Sequence, residues 1–235
     1  MKRWGDCFFC AETRGLKRVR MVAKEVGGNH VGRIGRKYEL GHPFHLMNAP
    51  HKAALREEIR GRIAQMDAAA RTQASRRIEE CVLARSEWQQ AGTVALFLSL
   101  TDEPQTRGIL RAAWAADKRV ALPKIDIREG LTWWQMPPFI LPESSSLWEP
   151  SPEKSVRIPV GEIHGFLIPG RAFTATGARL GRGGGHYDRT LVRRSREAWV
   201  TGLFFAVQEM ESLPQEHHDI PLPSIVTEHG WRKTA

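Results

Sequence analysis

Cysteine is scarce in this chain, three in 235 residues, which excludes a disulfide framework and fits a reducing, cytoplasmic compartment. Cys7 and Cys10 form a C-x-x-C, with His30, His42 and His45 downstream. A zinc site asks for two further ligands at regular spacing, and these do not supply them. No apolar run approaches the length of a membrane span, and the head has no continuous apolar core of the kind a secretory signal needs. Acidic residues are few at the start: 1–46 hold ten Lys/Arg against four Asp/Glu, leaving 25 against 22 in the rest. The net charge of +9 thus belongs mostly to the head, so a nucleic-acid-binding reading stands only if that segment carries it. With 41% hydrophobic and 26% charged residues, the composition fits one globular domain with a sizeable core.

The common phosphate-loop patterns are also missing. What is present over 168–188 is I-P-G-R-A-F-T-A-T-G-A-R-L-G-R-G-G-G-H-Y-D. No Lys-Ser or Lys-Thr follows its last glycine, and a G-x-G-x-x-G count from Gly181 or Gly183 ends on His186 or Asp188. Physically it still reads as a phosphate loop. Gly181, Gly183, Gly184 and Gly185 let backbone N–H groups approach a polyanion closely, and Arg179 and Arg182 suit forked contacts with phosphate oxygens. Tyr187 to Leu191 reads as a helix start that aims further N–H groups at the same space. Asp188 could hold Mg²⁺ there. A flexible surface hairpin is the plain alternative.

The longer string P-G-x-A-F-x-x-x-G-x-R-L-G-x-G-G-G-x-Y-D-R resembles the signature of the 5-formyltetrahydrofolate cyclo-ligases, with further matching segments from about 52 to 228. The resemblance implies a three-layer α/β/α sandwich with a mainly parallel sheet, like the sugar-phosphate-isomerase and CoA-transferase folds. It implies ATP and Mg²⁺ as cofactors, 5-formyltetrahydrofolate as substrate, and no membrane or nucleic-acid partner; a monomer is expected. For the loop, it implies that Arg179, Leu180, Gly181, Arg182, Gly183, Gly184, Gly185, His186 and Tyr187 hold the nucleotide. Arg182, the three glycines after it and His186 also touch the folate.

The body carries periodic signals. Leu55, Ile59, Ile63 and Met66 form one helical stripe over 52–66, with Lys52 and Arg56 together on another face. A solvated basic edge is the usual fate of such a pair. The family carries K-x-x-x-R here, and resemblance implies that both reach the ATP phosphates. Asp67 is a plausible N-cap for a helix to about Gln90, and Cys81 on its apolar side reads as a small buried hydrophobe. The run 93–100 reads as a buried parallel strand, 105–116 as the next helix and 119–125 as the second strand of a β-α-β unit. Strands are also expected over 131–136, 163–169, 199–207 and 223–227, with a Pro-rich loop over 137–159. Trp133, Trp134 and Trp148 could stack on a flat heterocycle, with core packing the simpler use.

The family's S-M-x-x-E-x-x-T matches 99–106, which implies that Glu103 and Leu98 contact the folate; a carboxylate suits the paired N–H edge of a pterin. Trp148-Glu149-Pro150 resembles its E-P site, and Asp219, in the polar turn 215–219, is the second metal candidate. The chain departs from the family pattern at four places: around His164 and at Thr174, where an Asp is usual; at His186, where Tyr or Phe is common; and near Ser224, where another Asp often stands. The implied chemistry phosphorylates the formyl oxygen and closes the ring from N10. It asks for positioning and charge neutralisation rather than a protein nucleophile, so Arg182, Lys52 and Arg56 are the expected catalytic residues. A module that binds nucleotide or folate without turnover is the rival reading. The head, 1–46, is expected to be disordered or not made, with translation from Met47 and one α/β domain over 47–235.

Overall fold

The computed structural model describes residues 43–138, 150, 153 and 155–234, with 43–49 described at the backbone only. Cys7, Cys10, His30, Trp148 and Glu149 lie outside these residues, as do the side chains of His42, His45 and Met47. Residues 41–235 fall in one compact unit.

Helix α1, Pro43–Gln65, carries the expected stripe, with Leu55, Ile59 and Ile63 buried, and it begins before the periodic residues do. Asp67 caps α2, Ala68–Leu83, by accepting from Ala70 N at 2.7 Å. This helix does not continue to Gln90. Arg85 takes an extended conformation, and a separate turn of helix α3, Ser86–Gln90, drives Trp88 into the core. Strand β1 is short, Thr93–Ala95, although 93–100 reads as one strand. Leu96 N still donates to Ala121 O at 2.9 Å, after which side chains take over: Thr106 Oγ1 donates to Phe97 O at 2.6 Å, and Ser99 Oγ receives Thr106 N at 2.9 Å. Those bonds fold 99–106 into a turn instead of a longer strand.

The chain continues through α4, Arg107–Ala115, and the strands β2, Arg119–Asp126, β3, Gly130–Gln135, and β4, Arg157–Ile158. Strand β5, Gly165–Ile168, leads into a small hairpin, β6, Ala172–Phe173, and β7, Arg179–Leu180. Helix α5, His186–Leu191, and strand β8, Trp199–Leu203, follow. Strand β9, Ser224–Thr227, closes a hairpin with β10, Gly230–Lys233. Gly230, at φ 128°, supplies the backbone that turn needs; the β6–β7 and β9–β10 hairpins were not evident in the sequence.

The main sheet has the order β10-β9-β8-β5-β1-β2-β3-β4. Pairing is parallel from β9 through β8, β5 and β1 to β2, and antiparallel at both margins. Alternate residues feed two cores, as the two-residue period of a strand requires: Val94, Val120 and Leu167 face α1 to α4, whereas Ala95, Ala121 and Phe166 face Leu191 of α5. The expected α/β sandwich with a mainly parallel sheet is thus present. Its second helical layer is thin, α5 being only six residues long.

Chain order places the site. From β1 the chain moves to β2 on one side, then returns to β5 on the other. The carboxyl ends of β1 and β5 diverge at this switch point, which is where open α/β sheets bind ligands.

Candidate active site

A cavity of about 490 Å³ opens at that switch point. Its apolar wall comes from the end of β1 (Phe97, Leu98, Leu100) and from Leu122 and Leu131 of β2 and β3. The opposite wall is the Gly-rich loop, and Glu103, Arg182, His186 and Tyr187 give it a polar end. Tyr187 packs edge-on against Trp133, ring centres 6.2 Å apart, and Arg179 lies 5.8 Å over its face. Burial first, then the Glu103 charge, push the Tyr187 phenol far above its ordinary pKa, so it stays protonated. Trp133 is a core residue, in edge contact with Phe166.

The loop itself bends through Gly183 and Gly185, at φ 110° and 58°, conformations that L-residues with side chains rarely adopt. Among the described residues, no hydrogen bond within the protein engages the N–H groups of Gly183, Gly184 or Gly185. The helix after them starts at His186, one residue early, and with six residues its dipole is small. The loop N–H groups and the arginines therefore carry most of the positive potential.

Helix α1 packs directly on this loop. Arg56 Nε donates to Gly181 O at 2.8 Å; burial and the nearby Arg171 charge lower its pKa. Lys52, one turn earlier, reaches Glu216 at 3.0 Å and Asp219 at 3.2 Å. Neither Lys52 nor Arg56 lines the cavity; Arg56 ties α1 to the loop and Lys52 ties it to the turn 215–219. Far from being a solvated edge, the pair is largely covered.

The two metal candidates, Asp188 and Asp219, are both engaged by cations of the protein itself. Asp188 accepts from Arg179 Nη2 with both oxygens, at 2.9 and 2.8 Å, and from Ile220 N at 3.2 Å. Asp219 Oδ2 receives Lys52 and Glu216 N. A buried carboxylate needs a counter-charge, and each has found one. Among the described residues, no group of three or more His, Cys, Asp or Glu side chains is placed to hold a metal ion.

Arg182 spans the cavity mouth and reaches two acids at once, Glu103 Oε1 at 2.9 Å and Asp102 Oδ1 at 3.0 Å. Glu103 Oε2 also accepts from Leu100 N at 3.0 Å. The other oxygen of Asp102 pairs with Arg171. Burial alone would raise the Asp102 carboxyl, but Arg171 and Arg182 together hold it below its ordinary pKa. Sequence reasoning passed over Asp102 and the Asp102–Arg171 pair; no local spacing relates residues 69 positions apart. Cys81 is half-buried and its thiol is pushed up by burial and by Glu80, in keeping with a packing role.

Residues 48–228 match the 5-formyltetrahydrofolate cyclo-ligase family. The chain belongs to that family. Curated relatives from several organisms carry the name 5-formyltetrahydrofolate cyclo-ligase. The one from Haemophilus influenzae is 31% identical over 185 residues, 77% of this chain and 99% of its own length. That from Escherichia coli K12 is 36% identical over 142 residues, 58% of this chain and 78% of its own. Among solved structures, the 5,10-methenyltetrahydrofolate synthetase of Aquifex aeolicus superposes with a TM-score of 0.67 at 25% identity. It covers 77% of this chain and 92% of its own.

The departures from the cyclo-ligase pattern now have physical readings. His164 Nδ1 accepts from Thr93 N at 3.0 Å. Thr174 Oγ1 accepts from Ala178 N at 3.1 Å, and Ser224 Oγ pairs with Thr201 Oγ1 at 2.7 Å while donating to Val200 O at 2.9 Å. At His164 and Thr174 a neutral acceptor serves a backbone N–H, as a carboxylate could. His186 is different, because it lines the cavity. Burial and then Arg189 hold its pKa below the ordinary histidine value.

Proposed function

We propose that the chain is an ATP-dependent 5-formyltetrahydrofolate cyclo-ligase, forming 5,10-methenyltetrahydrofolate, ADP and phosphate. The observation that carries this reading is the junction of an apolar cavity with a cation-rich, Gly-rich loop at the sheet's switch point. A flat heterocycle suits the cavity, with Leu98 against it and Glu103 at its polar end; phosphates suit the loop. The enzyme acts on small molecules, as a monomer whose site is complete in one chain. It works in the cytoplasm; among the described residues, no helix is long and apolar enough to cross a membrane.

Each residue has a role in this scheme. The N–H groups of Gly181, Gly183, Gly184 and Gly185 surround phosphate oxygens, and Leu180 anchors the loop from β7. Arg182, 43% exposed at the side chain, swings between the acids and the transferred phosphoryl group, where charge develops. Arg56 braces the loop through Gly181. Lys52 exchanges its carboxylates for a phosphate. Arg179 and Tyr187 form the floor beneath the nucleotide–folate junction.

Magnesium fits with the nucleotide. Mg²⁺ keeps several waters and asks for only one or two protein carboxylates beside phosphate oxygens. Asp188 and Asp219 would supply these carboxylates, each first giving up the cation it pairs with, Arg179 or Lys52. Bound there, the ion would neutralise phosphate charge.

The test is optical. The purified protein is mixed with 5-formyltetrahydrofolate and the near-ultraviolet band of the methenyl product is followed with and without MgATP. Growth only with MgATP is expected. A flat trace from folded protein that still binds ATP would put the binding-module reading ahead.

A further inference from the structure

Arg189 has no part in the scheme so far, yet it grips the Gly-rich loop. Its Nη2 donates to Gly184 O at 2.7 Å and meets His186 Nδ1 at 3.1 Å. A guanidinium offers no lone pair and stays charged. The contact therefore has one sense: Nδ1 accepts, and the neutral ring carries its proton on Nε2. The imidazole is folded over the loop, since a Cβ built on Gly184 would stand 2.5 Å from its Cδ2 and 2.6 Å from its Nε2. Gly184 and His186 both line the cavity.

We propose that Arg189 locks His186 as the Nε2–H tautomer, and that this N–H donates to the oxygen shared by the formyl group and the transferred phosphoryl group. Arg189 is then a positioning residue and His186 a catalytic one. Of the aromatic residues common at this place in the family pattern, Phe can stack but cannot donate, and Tyr donates only from its distal hydroxyl; the imidazole carries its donor on the ring itself. The inference rests on reading the loop as the phosphate site. In the reaction the formyl oxygen attacks the terminal phosphorus, and ADP leaves with the electron pair of the broken P–O bond. N10 attacks the activated carbon and releases its proton to water. The C–O bond then breaks, and phosphate departs with both electrons. Charge grows on the bridging oxygen in that last step. A neutral donor stabilises it without giving up its proton, and the charged arginines nearby do not have to leave the phosphate to do so.

The experiment compares wild type, His186→Phe and His186→Gln at saturating 5-formyltetrahydrofolate and MgATP, reading the methenyl band. Phe keeps a stacking face and loses the donor; the Gln amide restores a donor. His186→Phe is expected to lose about 10- to 100-fold in kcat, with both KM values within about threefold of wild type. His186→Gln is expected to recover about tenfold of that loss. A His186→Phe enzyme within about threefold of the wild-type kcat, or a Gln variant no faster than Phe, overturns the proposal. A second readout needs no turnover: the ¹⁵N imidazole spectrum of the wild-type chain, with His186 assigned by its absence from His186→Gln. A single Nε2-protonated form that becomes averaged in Arg189→Ala is expected; an averaged or Nδ1-protonated ring in wild type overturns the proposal. No MgATP-dependent band from wild type would overturn the ligase reading itself, an outcome distinct from a failure confined to the variants.

Discussion

Asp102 ties two separate parts of the site together, and Asp102→Asn tests whether that tie matters. One oxygen pairs with Arg171, whose side chain is 8% exposed; the other accepts from Arg182 at 3.0 Å. Removing one partner of a fully buried pair costs about 3–5 kcal/mol, because the other charge is left uncompensated. Asp102 is 23% exposed and Arg182 43%, and Asn keeps one carbonyl acceptor, so screening reduces the expected loss to about 2 kcal/mol. The pH dependence identifies the cause. With its carboxyl held below the ordinary value in the fold, Asp102 binds fewer protons folded than unfolded. Its contribution is complete above about pH 4 and fades as pH falls through the lower, folded-state value. Urea unfolding of both proteins should show a gap of about 2 kcal/mol at pH 7 that closes below about pH 4. Since Arg182 keeps Glu103, kcat/KM should fall only about tenfold, mainly through KM. A gap that persists unchanged into acid, or no gap at neutral pH, would refute the reasoning.

Arg182→Ala removes a cation that reaches from the loop to Asp102 and Glu103, and should lower kcat/KM about 10²- to 10³-fold; wild-type kinetics would remove Arg182 from the mechanism. Asp188→Ala strands the Arg179 guanidinium, 4% exposed, and should cost about 3–5 kcal/mol, read in calorimetry as a fall in Tm of roughly 6–20 °C. Lost activity with an unchanged Tm would instead give Asp188 to the ligand alone. A chain begun at Met47 should keep the full chain's kcat; RNA binding that weakens steeply with salt and vanishes on that truncation would revive the nucleic-acid reading.

Several features were legible because they are local. The helical stripe of α1, the Asp67 cap and the apolar strands each depend on neighbours within a few residues, and all of them formed, although the strands expected over 93–100 and 199–207 stop at Ala95 and Leu203. The break before α3 was not legible, since what favours it is Trp88 reaching a core that other segments build. The shortness of β1 has the same origin, with Thr106 bonding back to Phe97 across nine residues.

The site divides along this line. By itself, the sequence determined the Gly-rich loop, its arginines and the family to which the chain belongs, because glycine spacing and residue type are properties of one continuous stretch. Only the tertiary structure decided how those charges are spent. Arg179 went to Asp188, Lys52 to the turn 215–219, and Arg182 to Asp102 and Glu103. Ion pairing falls off over a few ångströms, and which charges come within that range depends on where the sheet's strands end.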